Sequence, residues 1–277
     1  MRDNALGAVD ELEPSETGGR RILQSLQAGK TCIALGLRNA RTTEIAKLAA
    51  SVGYDLVWVD MEHAPIGVES AAALAATAAS LGVGGWVRIR EGMTGLVGPL
   101  LDGGAGGIIC PHIQSAVAAR EAVAACRFPP KGGRSQNALL PQLGYVRHNS
   151  LETMRRADNG AIVQLLIETP EGVDRIDEIA AVPGVDMIAI GLNDLSVTMG
   201  RPGEPGHPDF LEVCKRVANA CGRRGVVAVA GGTATPELFS ALVSIGFAPL
   251  AFAGMDTEML ADNLSQRRHR WLFGETT

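Results

Sequence analysis

The sequence predicts one (β/α)8 barrel, and three observations carry that expectation. Short apolar runs alternate with longer helical patterns along nearly the whole chain. The runs number about eight, and strand–helix alternation implies parallel strands joined by right-handed crossovers. Near that count, 277 residues favour a closed barrel over the alternative, an open doubly wound sheet. No Gly-x-Gly-x-x-Gly follows the first apolar run, which weakens that alternative.

The elements are expected as follows. The first strand covers 31–37, and a helix over 43–52 follows with Thr42 as its N-cap. A strand at 56–61 leads to a small-residue helix at 68–81, and a third strand at 86–90 leads to a helical stretch near 96–101. A fourth strand covers 107–111, after which Ser115 caps a helix running to about 127. The segment 129–150 holds Pro129-Pro130, Gly132-Gly133 and Pro141 and is expected to be largely loop, followed by a short helix at 151–157. Alternation then resumes, with strands at 162–167, 187–190, 226–230 and 250–252 and helices at 171–181, 208–223, 236–245 and 257–271.

Composition bounds the function. The hydrophobic fraction of 46% and charged fraction of 20% suit a soluble globular chain. A net charge of −5 gives no basic footprint, and 4% aromatic residues supply few base-stacking platforms, so nucleic acid is excluded as a partner. No apolar run reaches membrane-spanning length. The five cysteines have no Cys-x-x-Cys spacing and read as reduced, packed thiols of a cytoplasmic protein. Residues 1–20, with Asp10, Glu11, Glu13 and Glu16 and no apolar stretch, are expected to be a flexible tail, leaving 21–277 as a single barrel domain.

In this fold, chemistry collects at the C-terminal ends of the strands. The second strand runs out into Asp60, Glu62 and His63, the third ends at Arg88 and Arg90, the fifth in Glu168, and the sixth reaches Asn193 and Asp194. A strand end is a poor place for a charge unless a partner or metal lies near. Glu168 and Asp194 are candidate ligands of Mg2+ or Mn2+, which accept two carboxylates and keep open positions for substrate oxygens. The competing reading makes Glu168 a cap of the helix that follows and Asp194 part of a turn. His63 is the candidate general base, against the reading of a packed or solvated loop histidine. Arg88 is the candidate electrostatic stabiliser, against a plain ion pair with Asp60 or Glu62, and Arg90 shares its strand face. The four lysines, Lys30, Lys47, Lys131 and Lys215, all lie away from strand ends, which leaves a metal rather than a Schiff base to stabilise a carbanion.

Together these segments resemble a known family. Val59-Asp60-Met61-Glu62-His63-Ala64-Pro65 resembles a signature of the HpcH/HpaI aldolase/citrate lyase family. So do Trp86-Val87-Arg88, the stretch from Phe128 to Ser135, Ile167-Glu168-Thr169, and Ile190-Gly191-Leu192-Asn193-Asp194-Leu195-Ser196. The resemblance spans about 22–260 and implies a TIM barrel, a divalent metal (Mg2+, or Mn2+ or Co2+) on Glu168 and Asp194, and a pyruvate-type 2-oxo acid substrate. It implies His63 as base with Asp102 raising its basicity, Arg88 on the enolate oxygen with Asp60 and Glu62 behind it, and backbone donors around Asn193 and Asp194 for the substrate carboxylate. It also implies a homohexamer, a trimer of dimers, with swapped C-terminal helices. One departure concerns the reaction. Leu166 stands where pyruvate aldolases of the family commonly carry Gln, so this wall of the substrate site is apolar, and the stretch is similar to macrophomate synthase-like members. The departure bears on the reaction and not on the metal site: the first expectation is retro-aldol cleavage of a 4-hydroxy-2-oxo acid to pyruvate and an aldehyde. The alternatives are decarboxylation of oxaloacetate to the same enolate and, from another class, a barrel that binds an oxo acid without turning it over.

Overall fold

The computed structural model describes residues 18–232 and 235–274. Eight parallel strands form one sheet in the order β7-β6-β5-β4-β3-β2-β1-β8. They are β1 (Cys32–Leu37), β2 (Leu56–Asp60), β3 (Gly84–Arg88), β4 (Gly107–Cys110), β5 (Ile162–Ile167), β6 (Met187–Gly191), β7 (Val227–Gly231) and β8 (Leu250–Met255). Sequential neighbours pair from β1 to β7, and β8 pairs with β1, so the sheet curls into a (β/α)8 barrel. Its seam runs between β7 and β8 and is tied at the base, where the Ala248 N–H donates to the Ala228 carbonyl at 2.7 Å.

Among the described residues, twelve α-helices accompany the strands: α1 (Gly18–Gln27), α2 (Glu44–Ser51), α3 (Val68–Ser80), α4 (Val97–Asp102), α5 (Ala116–Cys126), α6 (Ser150–Gly160), α7 (Pro170–Asp174), α8 (Ile176–Ala180), α9 (Leu192–Thr198), α10 (Pro208–Arg224), α11 (Pro236–Ser244) and α12 (Asp256–Phe273). Because strand side chains alternate, each strand feeds two apolar layers. Leu35, Val57, Val87, Ile108, Leu165 and Ile188 point outward and pack with the helices. Ala34, Leu56, Trp86, Ile109, Leu166 and Val229 fill the barrel. Helix α1 belongs to the inner layer: its Ile22, Leu23 and Leu26 join the residues inside the barrel.

Several sequence expectations need adjustment. Helix α1 begins at Gly18, inside the expected tail, because its Ile22, Leu23 and Leu26 find an apolar lining to bury against; the rest of that tail, residues 1–17, lies outside the described residues. Thr43 rather than Thr42 occupies the N-cap of α2, without a side-chain cap bond, whereas Ser115 caps α5 by accepting from the Ala118 N–H at 3.2 Å. The expected helix over 171–181 is two short helices broken at Arg175, whose φ of −101° and ψ of 15° leave the helical region. Asn193 and Asp194 lie in the first turn of α9. The segment after α5 is mostly irregular, as expected, but Phe128, Leu140 and Ala157 give it a small core of its own.

Candidate active site

The C-terminal strand ends converge on a cavity of about 150 Å³ that runs down into the barrel. Its rim carries Arg38, His63, Arg88, Glu168, Asn193, Asp194 and Glu258. The geometry begins at Asp60, the last residue of β2, whose side chain is completely buried. Arg88 is its register partner on β3 and meets it side-on, Nε to Oδ1 at 3.0 Å and Nη2 to Oδ2 at 2.7 Å. Arg38, directly after β1, adds Nε to Oδ2 at 2.6 Å. Asp60 Oδ1 also accepts from the backbone N–H groups of Glu62 and His63, which fixes the turn carrying both side chains. Burial alone would raise the Asp60 carboxyl, but the hydrogen bonds and charges of Arg88 and Arg38 outweigh it and hold the group below its ordinary range.

Glu62 continues the network, with Oε2 3.0 Å from Arg88 Nη1 and Oε1 2.9 Å from His112 Nε2. The other face of the His112 ring lies 2.9 Å, Nδ1 to Oε2, from Glu168. His112 follows β4 with φ of 54°, a left-handed backbone that non-glycine residues seldom adopt. Glu168, one residue past β5, is buried, and Gly191 makes its place: a Cβ there would lie 2.9 Å from Glu168 Cγ. Burial pushes the Glu168 carboxyl up to about 7, with the charges of Glu62 and Asp194 adding to the rise and those of His112 and Arg88 opposing it.

The site therefore brings together most of the residues singled out from sequence. Glu168, Asp194, Asn193, Arg88, His63 and Leu166 all line one cavity, and Asp60 and Glu62 stand behind Arg88. Among the described residues, Asp102 makes no ion pair or hydrogen bond with His63. At the end of α4, its carboxylate is held 2.6 Å from Arg134 Nη2, and the acid beside His63 is Glu62, at 3.8 Å from Nε2. Arg90 also turns away, donating to the carbonyls of Met61 and Ala64. Sequence reasoning missed His112, Arg38 and Glu258. The first two sit just past strands β4 and β1, so the strand-end rule that selected His63 was available for both. Glu258 projects from the start of α12 and carried no such signal.

Among the described residues, no group of three or more His, Cys, Asp or Glu side chains is arranged as a metal cage. A pair of carboxylates is a different design, leaving most positions of a hard cation to water and substrate oxygens. Glu168 fits it: Oε2 is buried and makes no hydrogen bond of proper geometry among the described residues, and the rim carries Glu168, Asp194 and Glu258, with Asp60 and Glu62 behind it, against the guanidiniums of Arg38 and Arg88.

The family model for HpcH/HpaI aldolase/citrate lyase matches residues 35–255. The chain belongs to the HpcH/HpaI aldolase/citrate lyase family. As a member of that family it is an aldolase-type lyase, and its relatives agree. It is 36% identical over 207 residues to a 4-hydroxy-4-methyl-2-oxoglutarate aldolase of Chaetomium globosum, covering 74% of this chain and 77% of that protein. It is 35% identical over 257 residues to a hydroxypyruvate/pyruvate aldolase of Pseudomonas aeruginosa, covering 92% and 93%. The crystal structure of an HpcH/HpaI aldolase from Desulfitobacterium hafniense superposes with a TM-score of 0.82 at 30% identity, over 92% of this chain and 98% of that one. Within this HpcH/HpaI member, no helix among the described residues is long and apolar enough to cross a membrane.

Proposed function

We propose that the chain cleaves 4-hydroxy-2-oxo acids to pyruvate and an aldehyde or ketone at a divalent cation held by Glu168 and Asp194. The observation that carries this reading is the buried Glu168 Oε2, which makes no hydrogen bond among the described residues, in a cavity it shares with Asp194 and with the guanidinium that Asp60 fixes. Burial, with the charges of Glu62 and Asp194 adding to it, holds this carboxyl back from ionising, and a cation would relieve that directly. A bound Mg2+, Mn2+ or Co2+ would polarise the carboxylate and keto oxygens of the oxo acid.

The chain's own residues supply the rest. Arg88 faces carboxylate oxygens with Nε, Nη1 and Nη2, and its remaining N–H groups are free to meet negative charge developing on the keto oxygen. Asp60 prevents the guanidinium from turning, so this donor is in place before the charge appears. His63, half exposed at the mouth, takes the proton of the 4-hydroxyl as the C3–C4 bond breaks, and returns it in the condensation direction. The first turn of α9, whose N–H groups have no partner within the helix, offers donors at Asn193 and Asp194 to the substrate carboxylate. Leu166 makes the adjoining wall apolar.

Helix α12 supports a homo-oligomer. Beyond its buried first residue, Asp256, it exposes Leu260, Leu264, Trp271, Leu272 and Phe273, apolar side chains that a second copy of the chain would cover in a hexamer of paired subunits. The five buried, unpaired cysteines suit a cytoplasmic setting.

The test is pyruvate release from a panel of 4-hydroxy-2-oxo acids, including 4-hydroxy-4-methyl-2-oxoglutarate, with Mg2+ or Mn2+ and again with chelator. Metal-dependent release is expected. Release that survives exhaustive chelation would remove the cation from the account, and no release from any member would remove the aldol reaction.

A further inference from the structure

Three peptide units that follow β1 are held from both sides. The N–H groups of Arg38, Asn39 and Ala40 all donate to the Asp256 carboxylate at the start of α12. Arg38 and Asn39 reach Oδ1 at 2.8 and 3.1 Å, and Asn39 and Ala40 reach Oδ2 at 3.0 and 2.7 Å. The carbonyls of the same three residues accept from one atom, Arg41 Nη1, at 2.8, 2.8 and 3.1 Å. Asp256 is 4% exposed, so its charge rests on these N–H groups and on the Thr257 hydroxyl, 3.3 Å from Oδ1.

Burying a carboxylate is costly, and water can satisfy the peptide groups of a surface loop. What the clamp adds is a fixed backbone. Of its three residues, Arg38 is the one that lines the active-site cavity. The Arg38 side chain is 34% exposed, and its Nε lies 2.6 Å from Asp60 Oδ2, the oxygen that also accepts from Arg88 Nη2 at 2.7 Å. A long side chain held by one such bond keeps its place only where its backbone is fixed, since rotamer freedom otherwise competes with the bond. A continuous set of hydrogen bonds therefore joins α12 to the site, from Asp256 through the 38–40 backbone to Arg38, Asp60 and Arg88. Displacing a donor at a reacting centre by about 1 Å is enough to cost up to about 10²-fold in rate.

We propose that Asp256 and Arg41 are positioning residues of the lyase site, which act through Arg38 to hold Asp60 and, with it, Arg88. This rests on the reading that Arg88 stabilises an enolate. The full-length protein with Mg2+ is assayed by proton NMR for exchange of the methyl protons of saturating pyruvate in D2O. Asp256→Asn and Arg41→Met are each made in the wild type and in an Arg38→Met background. Arg41 is exposed, so its variant keeps the Asp256 carboxylate and the buried end of α12. Each single variant is expected to lower the exchange rate by about tenfold. In the Arg38→Met background neither is expected to lower it further, because the residue they act through is already gone. Mg2+ affinity, read by calorimetry, should stay within about twofold, since the proposed ligands Glu168 and Asp194 follow β5 and β6, across the barrel from β1. Melting curves establish that the variants are folded. A plain packing defect would lower the rate by the same factor in both backgrounds. That result, or a rate unmoved in both single variants, would overturn the proposal. Should the wild type exchange no methyl protons, the enolate reading fails separately. In that case, or if Arg38→Met has no measurable rate, crystal structures of Asp256→Asn and Arg41→Met decide: Arg38 displaced from Asp60 supports the positioning role, and Arg38 Nε still on Asp60 in both overturns it.

Discussion

Arg88 meets Asp60 side-on through two parallel hydrogen bonds of 3.0 and 2.7 Å, inside a barrel where the Asp60 carboxylate has no solvent exposure. The fork orients Arg88 toward the cavity and prevents both charges from being buried alone. Lysine keeps the charge and loses the fork, so Arg88→Lys is expected to lower kcat/KM by roughly a hundredfold, like removal of an oxyanion donor. Asp60→Asn should cost about 3–5 kcal/mol in urea unfolding, because it leaves a buried guanidinium underpaired.

The same pair gives the fold an acid limit. The Asp60 carboxyl is held below its ordinary 3.8, so its contribution to stability is complete above that value and is lost as pH falls through the depressed one. Melting temperature is expected to drop as pH is lowered below about 4, and Asp60→Asn should flatten that part of the profile.

Glu168 has the opposite sign. Its carboxyl is raised from 4.5 to about 7, so its protonated form favours the fold at low pH and this contribution fades as pH rises through about 7. Without a cation, Glu168→Gln should therefore be more stable than wild type at pH 8, by on the order of 1–3 kcal/mol. Cation affinity should climb with pH up to about 7 and then level off. At pH 6, calorimetry in buffers of different ionisation enthalpy should record proton release on cation binding, and Glu168→Gln should abolish both binding and release.

Gly191 is expected to control the cation through Glu168. Alanine there places a Cβ 2.9 Å from Glu168 Cγ and forces the carboxylate to move. Gly191→Ala should weaken Mn2+ binding by at least about tenfold while the barrel still melts cooperatively, since the atom in the way belongs to a side chain and not to backbone.

His63 separates two reactions. Aldol cleavage requires a base for the 4-hydroxyl and decarboxylation of oxaloacetate does not. His63→Asn is expected to lose about 10²-fold or more in cleavage and to keep any oxaloacetate decarboxylation the wild type shows. If His112→Asn shows that split and His63→Asn does not, the base is His112, which bridges Glu62 and Glu168.

Much of this was legible in the sequence, because the barrel writes its periods plainly. Each apolar run bounded by Gly, Pro or charge is a strand, and the charges after β2, β3, β5 and β6 meet at one rim. What stayed hidden depended on packing across the chain. Helix α1 is too short and polar to announce itself, and it is defined by three apolar residues joining the barrel's inner layer. His112 follows Cys110-Pro111, a strand end without a carboxylate to mark it, and its role appears only when β2, β4 and β5 place Glu62 and Glu168 on either side of its ring. Gln164 reads as one polar residue inside an apolar strand; its burial and an Oε1 with no hydrogen bond among the described residues distinguish it, and neither is a property of sequence spacing. Asp102 shows the converse, since resemblance joins it to His63 while within one chain its carboxylate rests on Arg134.

Glu168 and Asp194 are proposed to hold a divalent cation beside Arg88, where it would make the methyl protons of pyruvate acidic. Proton NMR of pyruvate in D2O reads this without any aldehyde partner. The account predicts that the metal-loaded protein exchanges the methyl protons for deuterium, and that chelation, Glu168→Gln or Asp194→Asn each stops the exchange. Exchange that continues at the wild-type rate in Glu168→Gln, or none at all in the metal-loaded wild type, would contradict it.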